Sequence, residues 1–121
     1  MCGIVGALAP RRSGGDLEAL VNAMNRTVRH RGPDSSGLWC DPSAAIALAH
    51  SRLAVVDLTE AGAQPMVSAS GRFVLTYNGE IYNHRELRDE LARAGAAPQW
   101  RGHSDTEIML AAIAHWGLQA A

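Results

Sequence analysis

Apolar positions along the chain alternate between strand-like runs and helical stripes. Residues 2–8 (CGIVGAL) form a short apolar run that predicts a buried strand. Gly3 and Gly6 interrupt it, and glycines inside a strand often mark a close approach of another backbone or a ligand. A turn-rich PRRSGG stretch follows. Asp16 then stands as the N-cap of a helix. Leu17, Leu20, Val21, Met24 and Val28 recur at helical spacing as one stripe that should pack on a sheet. Arg29-His30-Arg31-Gly32-Pro33-Asp34 ends this helix, because the residue before a proline is pushed out of the helical region.

Residues 36–41 and 44–51 are short and apolar, with an Asp41-Pro42-Ser43 turn between them, and predict a hairpin. Residues 52–57 continue its second strand or begin another. Residues 58–71 read as a loop, and Arg72 to Tyr77 as a strand rich in β-formers. Asn78-Gly79-Glu80 follows as a turn. Asn83 and Glu86 resemble a capping box for a second helix, with Leu87, Leu91 and Ala94 as its buried stripe and Gly95 as its stop. Ser104 and Glu107 open a third helix in the same way. Met109, Ala112, Ile113 and Trp116 form its apolar face, and Gly117 ends it.

Composition narrows the class without naming a function. The 121 residues are 47% hydrophobic and 19% charged, with net charge −1, which predicts one globular domain or most of one. Near-neutral charge without a basic run excludes an electrostatic footprint for nucleic acid or an anionic membrane. No apolar run approaches the ~20 residues of a membrane span. The start of the chain lacks the basic-then-apolar pattern of a signal peptide. Two cysteines imply no disulfide framework, and five scattered histidines suggest no metal site. The expected compartment is the cytoplasm, whose reducing conditions keep thiols free.

Four features bear on chemistry. Removal of Met1 would leave Cys2 with a thiol and a free α-amine on one residue. That amine has a reference pKa of about 8, so the pair makes a nucleophile beside its own base. The plainer alternative is a small core residue of the first strand. Arg52 interrupts an apolar run from Ala44 to Val56. Burying such a charge alone is costly, which makes Arg52 a candidate ligand for a carboxylate. Arg29, His30 and Arg31 fit either a solvated helix end or an anion contact. Cys40 reads as a half-buried strand residue.

MCGIVG at 1–6, RHRGPDSSG at 29–37, HSRLAVVDL at 50–58, GAQPM at 62–66, YNGEIYN at 77–83 and SDTE at 104–107 occur in this order over nearly the whole chain. With them the chain resembles the N-terminal glutaminase domain of class II glutamine amidotransferases. Within that class it is most similar to the glutamine-hydrolysing asparagine synthetases. The Thr-Arg-Trp-Ala-Thr-His-Gly stretch of the glucosamine-phosphate synthase branch is absent, and His50-Ser51-Arg52-Leu53 stands in its place.

The resemblance implies an α+β fold, the four-layer αββα sandwich of N-terminal nucleophile hydrolases. Residues 1–121 are then expected to be the N-terminal part of a glutaminase domain, an incomplete piece of that sandwich. The synthetase domain would lie outside this chain. L-Glutamine is the implied substrate, Cys2 the nucleophile, and Asn78 and Gly79 the oxyanion donors. Arg52 would take the substrate carboxylate, with backbone groups near Val55 and Val56 assisting, and Glu80 and Asp105 would take its ammonium. Arg31 and Asp34 match the family motif without a catalytic step. No cofactor or metal is expected here, since ATP and magnesium belong to the synthetase domain. That domain is the implied partner, and a homodimer of the parent protein is one assembly the family allows. Activated aspartate is the default ammonia acceptor. The alternatives are a different carboxylate acceptor, or a non-catalytic binding module that keeps the fold.

Overall fold

The computed structural model describes residues 1–54 and 58–121. The chain divides into two compact units. The first comprises residues 1–54, 63–65 and 76–78, and the second the remainder.

The first unit is built on a three-stranded antiparallel sheet of β1 (Gly3–Leu8), β2 (Ser35–Asp41) and β3 (Ile46–Arg52), in the order β1-β3-β2. Helix α1 (Gly14–Thr27) covers one face. Its Leu17 and Val21 are fully buried against Ala47 and Ala49 of β3, flanked by Val5, Ala7, Ala9 and Cys40. Small alanines on the central strand let the helix approach closely. Burying side chains such as Leu17 and Val21 contributes roughly 1.5–3 kcal/mol each.

The register places Val5 opposite Ala49 and Ala7 opposite Ala47, so strand alternation sends Ile4, Gly6 and Leu8 to the other face. There Ile4 and Leu8 are 47% and 67% exposed.

Several boundaries differ from the sequence reading. Ser13, not Asp16, caps α1: its hydroxyl accepts from the Asp16 N–H and donates to the Asp16 carboxylate at 2.7 Å. Asp16 is therefore the third helical residue, its carboxylate bonded to the hydroxyl of the cap rather than to the cap's backbone N–H. The β2–β3 turn is longer than expected, because the Asp41 carboxylate accepts from the N–H groups of Ser43 and Ala44 and from the Ser43 hydroxyl. Ala45 takes a left-handed φ of 55°, which delays the start of β3 to Ile46. Gly3 gives no open space: a Cβ there would meet the Val28 side chain at 2.8 Å.

The second unit holds the two-stranded sheet of β4 (Met66–Val67) and β5 (Val74–Leu75), with helices α2 (His84–Arg93) and α3 (Asp105–Trp116). The expected loop over 58–71 thus contains a 3₁₀ turn at Glu60–Gly62 and a strand, while the expected strand Arg72 to Tyr77 pairs only over two residues. Ser68 closes this hairpin. Its N–H donates to the Phe73 carbonyl and its hydroxyl accepts from the Phe73 N–H.

Asn83 occupies the N-cap of α2 without a side-chain capping bond. Gly95, at φ 67°, ends the helix in a Schellman motif, with Ala96 N–H bonded to Leu91 C=O and Gly95 N–H to Ala92 C=O. Leu91 is fully buried and Ala94 is exposed, so the α2 stripe is narrower than predicted.

Helix α3 is buried more widely than its predicted stripe, adding Ile108 and Leu110 to Ala112 and Ile113. Its Ser104 cap accepts from Thr106 N–H. Glu107 turns away from that cap. It accepts from the backbone N–H groups of Arg101 and Gly102 and pairs with the Arg101 guanidinium at 3.1 Å. Among the described residues no helix is long and apolar enough to cross a membrane.

Candidate functional site

In the first unit, Cys2 directly precedes β1 and is half-buried. Gly3 faces Ser51 in the register, and alternation then puts Cys2 and Arg52 on the same side of the sheet. The Leu53 N–H donates to Cys2 Sγ at 3.3 Å, and the thiol lies 3.5 Å from the Leu53 carbonyl. Arg31 Nε donates to the Cys2 carbonyl at 3.2 Å. The sulfur and the backbone of Cys2 are thus held by different elements, the end of β3 and the 3₁₀ turn Arg29–Arg31.

Arg52 is buried at the end of β3, opposite Ser35, and is not a free cation. The Gly32-Pro33-Asp34 stretch braces this strand end. Asp34 N–H donates to the Arg52 carbonyl at 3.0 Å, and the Asp34 carboxylate accepts from Ala54 N–H at 2.9 Å. Gly32 is buried with its α-carbon so close to the Ser51 carbonyl that no Cβ fits. Arg31 and Asp34 are therefore structural braces of the segment that carries Arg52 and touches Cys2.

Asn78, also in the first unit, is half-buried and follows Tyr77. Tyr77 N–H donates to Gln64 Oε1 at 2.6 Å, and the Tyr77 carbonyl lies 3.3 Å from His50 Nε2. His50 is 1% exposed, and burial holds its imidazole below the ordinary range. The Arg52 charge adds to that effect, and the bond to the Tyr77 carbonyl opposes it.

In the second unit, Gly79 and Glu80 are exposed. Asp105 is buried as the first residue of α3. Its Oδ2 accepts from Ile81 N–H at 2.9 Å and its Oδ1 from Thr106 N–H at 2.8 Å. The residue after Glu80 is thus tied to the start of α3. Val55 and Val56 lie outside the described residues.

The sequence reading missed Asn25 in α1, a helix that showed no chemistry. This buried amide donates to the Ser36 hydroxyl at 2.7 Å and accepts from the Ser51 hydroxyl at 2.9 Å, joining α1, β2 and β3. The missed signal was a polar residue in line with Leu17 and Val21 at four-residue spacing. His50 and Gln64 were also passed over, since a histidine in an apolar run and a loop glutamine have no distinctive local pattern. Cys40 is half-buried in β2, where burial and the nearby charges of Glu18 and Asp41 push its thiol pKa up. A raised pKa disfavours the reactive thiolate form.

Cys2 and the buried Arg52 thus share one side of the sheet, and the segment that carries Asn78 is held through Tyr77 by Gln64 and His50. All of residues 1–121 match the glutamine amidotransferase domain family, and the chain belongs to that family. It is 38% identical over its whole length to asparagine synthetase 1 (glutamine-hydrolysing) of Bacillus subtilis. It is 41% identical over 111 residues, 92% of the chain, to asparagine synthetase B (glutamine-hydrolysing) of Escherichia coli. A probable asparagine synthetase (glutamine-hydrolysing) of Schizosaccharomyces pombe is 42% identical over 91% of the chain. The chain spans 19% of the length of each of these relatives.

Proposed function

We propose that this chain is the glutaminase part of a glutamine-dependent synthetase and hydrolyses the side-chain amide of L-glutamine. The observation that carries the reading is the placement of Cys2, with its sulfur facing the Leu53 N–H and its position on the Arg52 side of the sheet. After loss of Met1, the Cys2 thiol attacks the amide carbon and the Cys2 α-amine takes up the thiol proton. The tetrahedral oxyanion is stabilised by the Asn78 side chain and the Gly79 N–H. It collapses with protonation of the leaving nitrogen, releasing ammonia and leaving a thioester. Water then cleaves the thioester to glutamate and restores the thiol.

Loss of one oxyanion donor costs about 2.7–4 kcal/mol in comparable hydrolases. Arg52 suits the substrate carboxylate by its guanidinium geometry. Glu80 and Asp105 supply negative charge for the ammonium, and backbone groups near Val55 and Val56 complete the set. Among the described residues, Asp105 has two backbone N–H partners, and a carboxylate has lone pairs for a further contact.

The exposed apolar face of the β1-β3-β2 sheet supports the four-layer sandwich, in which a second sheet covers the face that α1 does not. The names of the relatives, asparagine synthetases that hydrolyse glutamine, support a glutaminase whose ammonia passes to a synthetase domain; the reading extends to a cytoplasmic enzyme whose synthetase domain uses ATP and magnesium. Aspartate is the default acceptor, and a homodimer of the parent protein is an assembly compatible with this reading.

The test is the intact mass of the full-length protein after treatment with a diazo-ketone analogue of glutamine. One adduct on Cys2 of a Met1-free chain is expected. An unmodified Cys2 in folded, Met1-free protein overturns the proposal.

A further inference from the structure

Tyr77 is held on both sides by side chains from elsewhere in the first unit. Its N–H reaches Gln64 Oε1 at 2.6 Å, in the segment 63–65. Its carbonyl lies 3.3 Å from Nε2 of His50 in the central strand β3. A carbonyl only accepts, so Nε2 carries the proton. Nδ1 is then an acceptor, and among the described residues it is buried with no hydrogen-bond partner. Burying an acceptor without a protein donor is unfavourable. An apolar side chain at this place would avoid that cost, so the bond to Tyr77 is what the imidazole contributes.

We infer that His50 and Gln64 are positioning residues that fix the two peptide planes flanking Tyr77 and thereby aim Asn78. The carbonyl that His50 holds belongs to the peptide group whose nitrogen is that of Asn78. The N–H that Gln64 holds belongs to the preceding peptide group. Fixing both planes fixes φ and ψ of Tyr77, and these set where the next residue's Cα and side chain point. Gln64 is itself anchored, because its backbone carbonyl packs on Gly37 of β2 so closely that a Cβ there would collide with it. Strands β2 and β3 are thus the base from which the Asn78 segment is set. Displacing an oxyanion donor by about 1 Å loses on the order of 100-fold in rate.

This inference rests on the reading of Asn78 as an oxyanion donor, and a double-mutant cycle on the full-length protein separates the two. His50→Leu is expected to lower kcat for glutamine hydrolysis by about 10- to 100-fold with KM little changed, since an interaction made only in the transition state is weakened. His50→Gln, whose amide nitrogen replaces Nε2–H, is expected to recover most of that loss. Adding His50→Leu to Asn78→Ala is expected to lower the rate no further than Asn78→Ala alone. Multiplicative losses overturn the inference, as does a His50→Leu protein with unchanged kcat.

An Asn78→Ala protein with full activity removes both the donor and its clamp. A Cys2→Ala protein with full activity removes the proposed function itself. If His50→Leu does not fold, Gln64→Met, which deletes the acceptor, and Gln64→Glu, which keeps one, are compared in the same cycle. Equal rates for these two variants overturn the inference.

Discussion

Arg31 donates a hydrogen bond from Nε to the carbonyl oxygen of Cys2 at 3.2 Å. The two residues are 29 apart in sequence, and the bond ties the residue before β1 to the turn that follows α1. The same turn continues into Asp34, whose N–H donates to the Arg52 carbonyl and whose carboxylate accepts from the Ala54 N–H. The RGPD stretch is therefore a clip across two strand ends, and its role follows from what those ends carry.

Asp34→Ala removes the carboxylate acceptor for Ala54 N–H in an exposed setting, so the freed N–H returns to water. The expected loss of stability is about 1 kcal/mol, near the net worth of one hydrogen bond. Asp34→Asn keeps an acceptor oxygen and is expected to lose less. Urea midpoints of the three proteins decide this, and equal midpoints for wild type and Asp34→Ala would remove the clip from the account.

Glycine substitutions are expected to split sharply. At Gly32 a Cβ would collide with the Ser51 carbonyl and the Arg52 backbone, and neither can rotate aside. Gly32→Ala is expected to destabilise by more than about 3 kcal/mol, the upper part of the overpacking range. At Gly15, in the first turn of α1, a Cβ meets nothing within 4 Å. Gly15→Ala is expected to stabilise by about 0.5–1 kcal/mol through helix propensity. Thermal or urea unfolding of both variants is the measurement, and similar values for the two would contradict the close approach at Gly32.

His50 makes stability depend on pH on the acid side. Its folded pKa lies below the ordinary 6.5 because of burial, so the unfolded chain takes up a proton at a higher pH than the folded one. Between those two values the unfolded state binds more protons, and stability falls as pH is lowered through about 6.5. The slope contributed by this one group is at most about 1.4 kcal/mol per pH unit. His50→Gln is expected to abolish that portion of the slope. Asp41 acts lower on the scale: the Ser43 hydroxyl bond, joined by the backbone N–H of Ala44, holds its carboxyl below 3.8. Its contribution is present above that value and disappears as pH falls through the folded pKa. Denaturant titrations from pH 8 to pH 3 on wild type and His50→Gln provide the comparison.

Local chemistry in the chain determined a good deal. Helical spacing from Leu17 to Val28, the Ser104 cap and the Gly95 and Gly117 stops are interactions among residues within four or five positions, so they can be read in order. Six motif stretches in sequence likewise sufficed to assign the family. Tertiary structure decided the rest, because those features depend on contacts between distant segments. Arg72 to Tyr77 has strand composition, yet only Val74–Leu75 finds a partner, since pairing depends on what lies alongside. Gly3 announced a close approach of a backbone or a ligand, and only the fold shows that the neighbour is Val28, since a missing Cβ does not say what fills its space. Asn25, His50, Gln64 and Asp34 became interpretable only when the fold brought them to Ser51, Tyr77 and Ala54. Each meets its partner 13 or more positions away, beyond the reach of any local pattern.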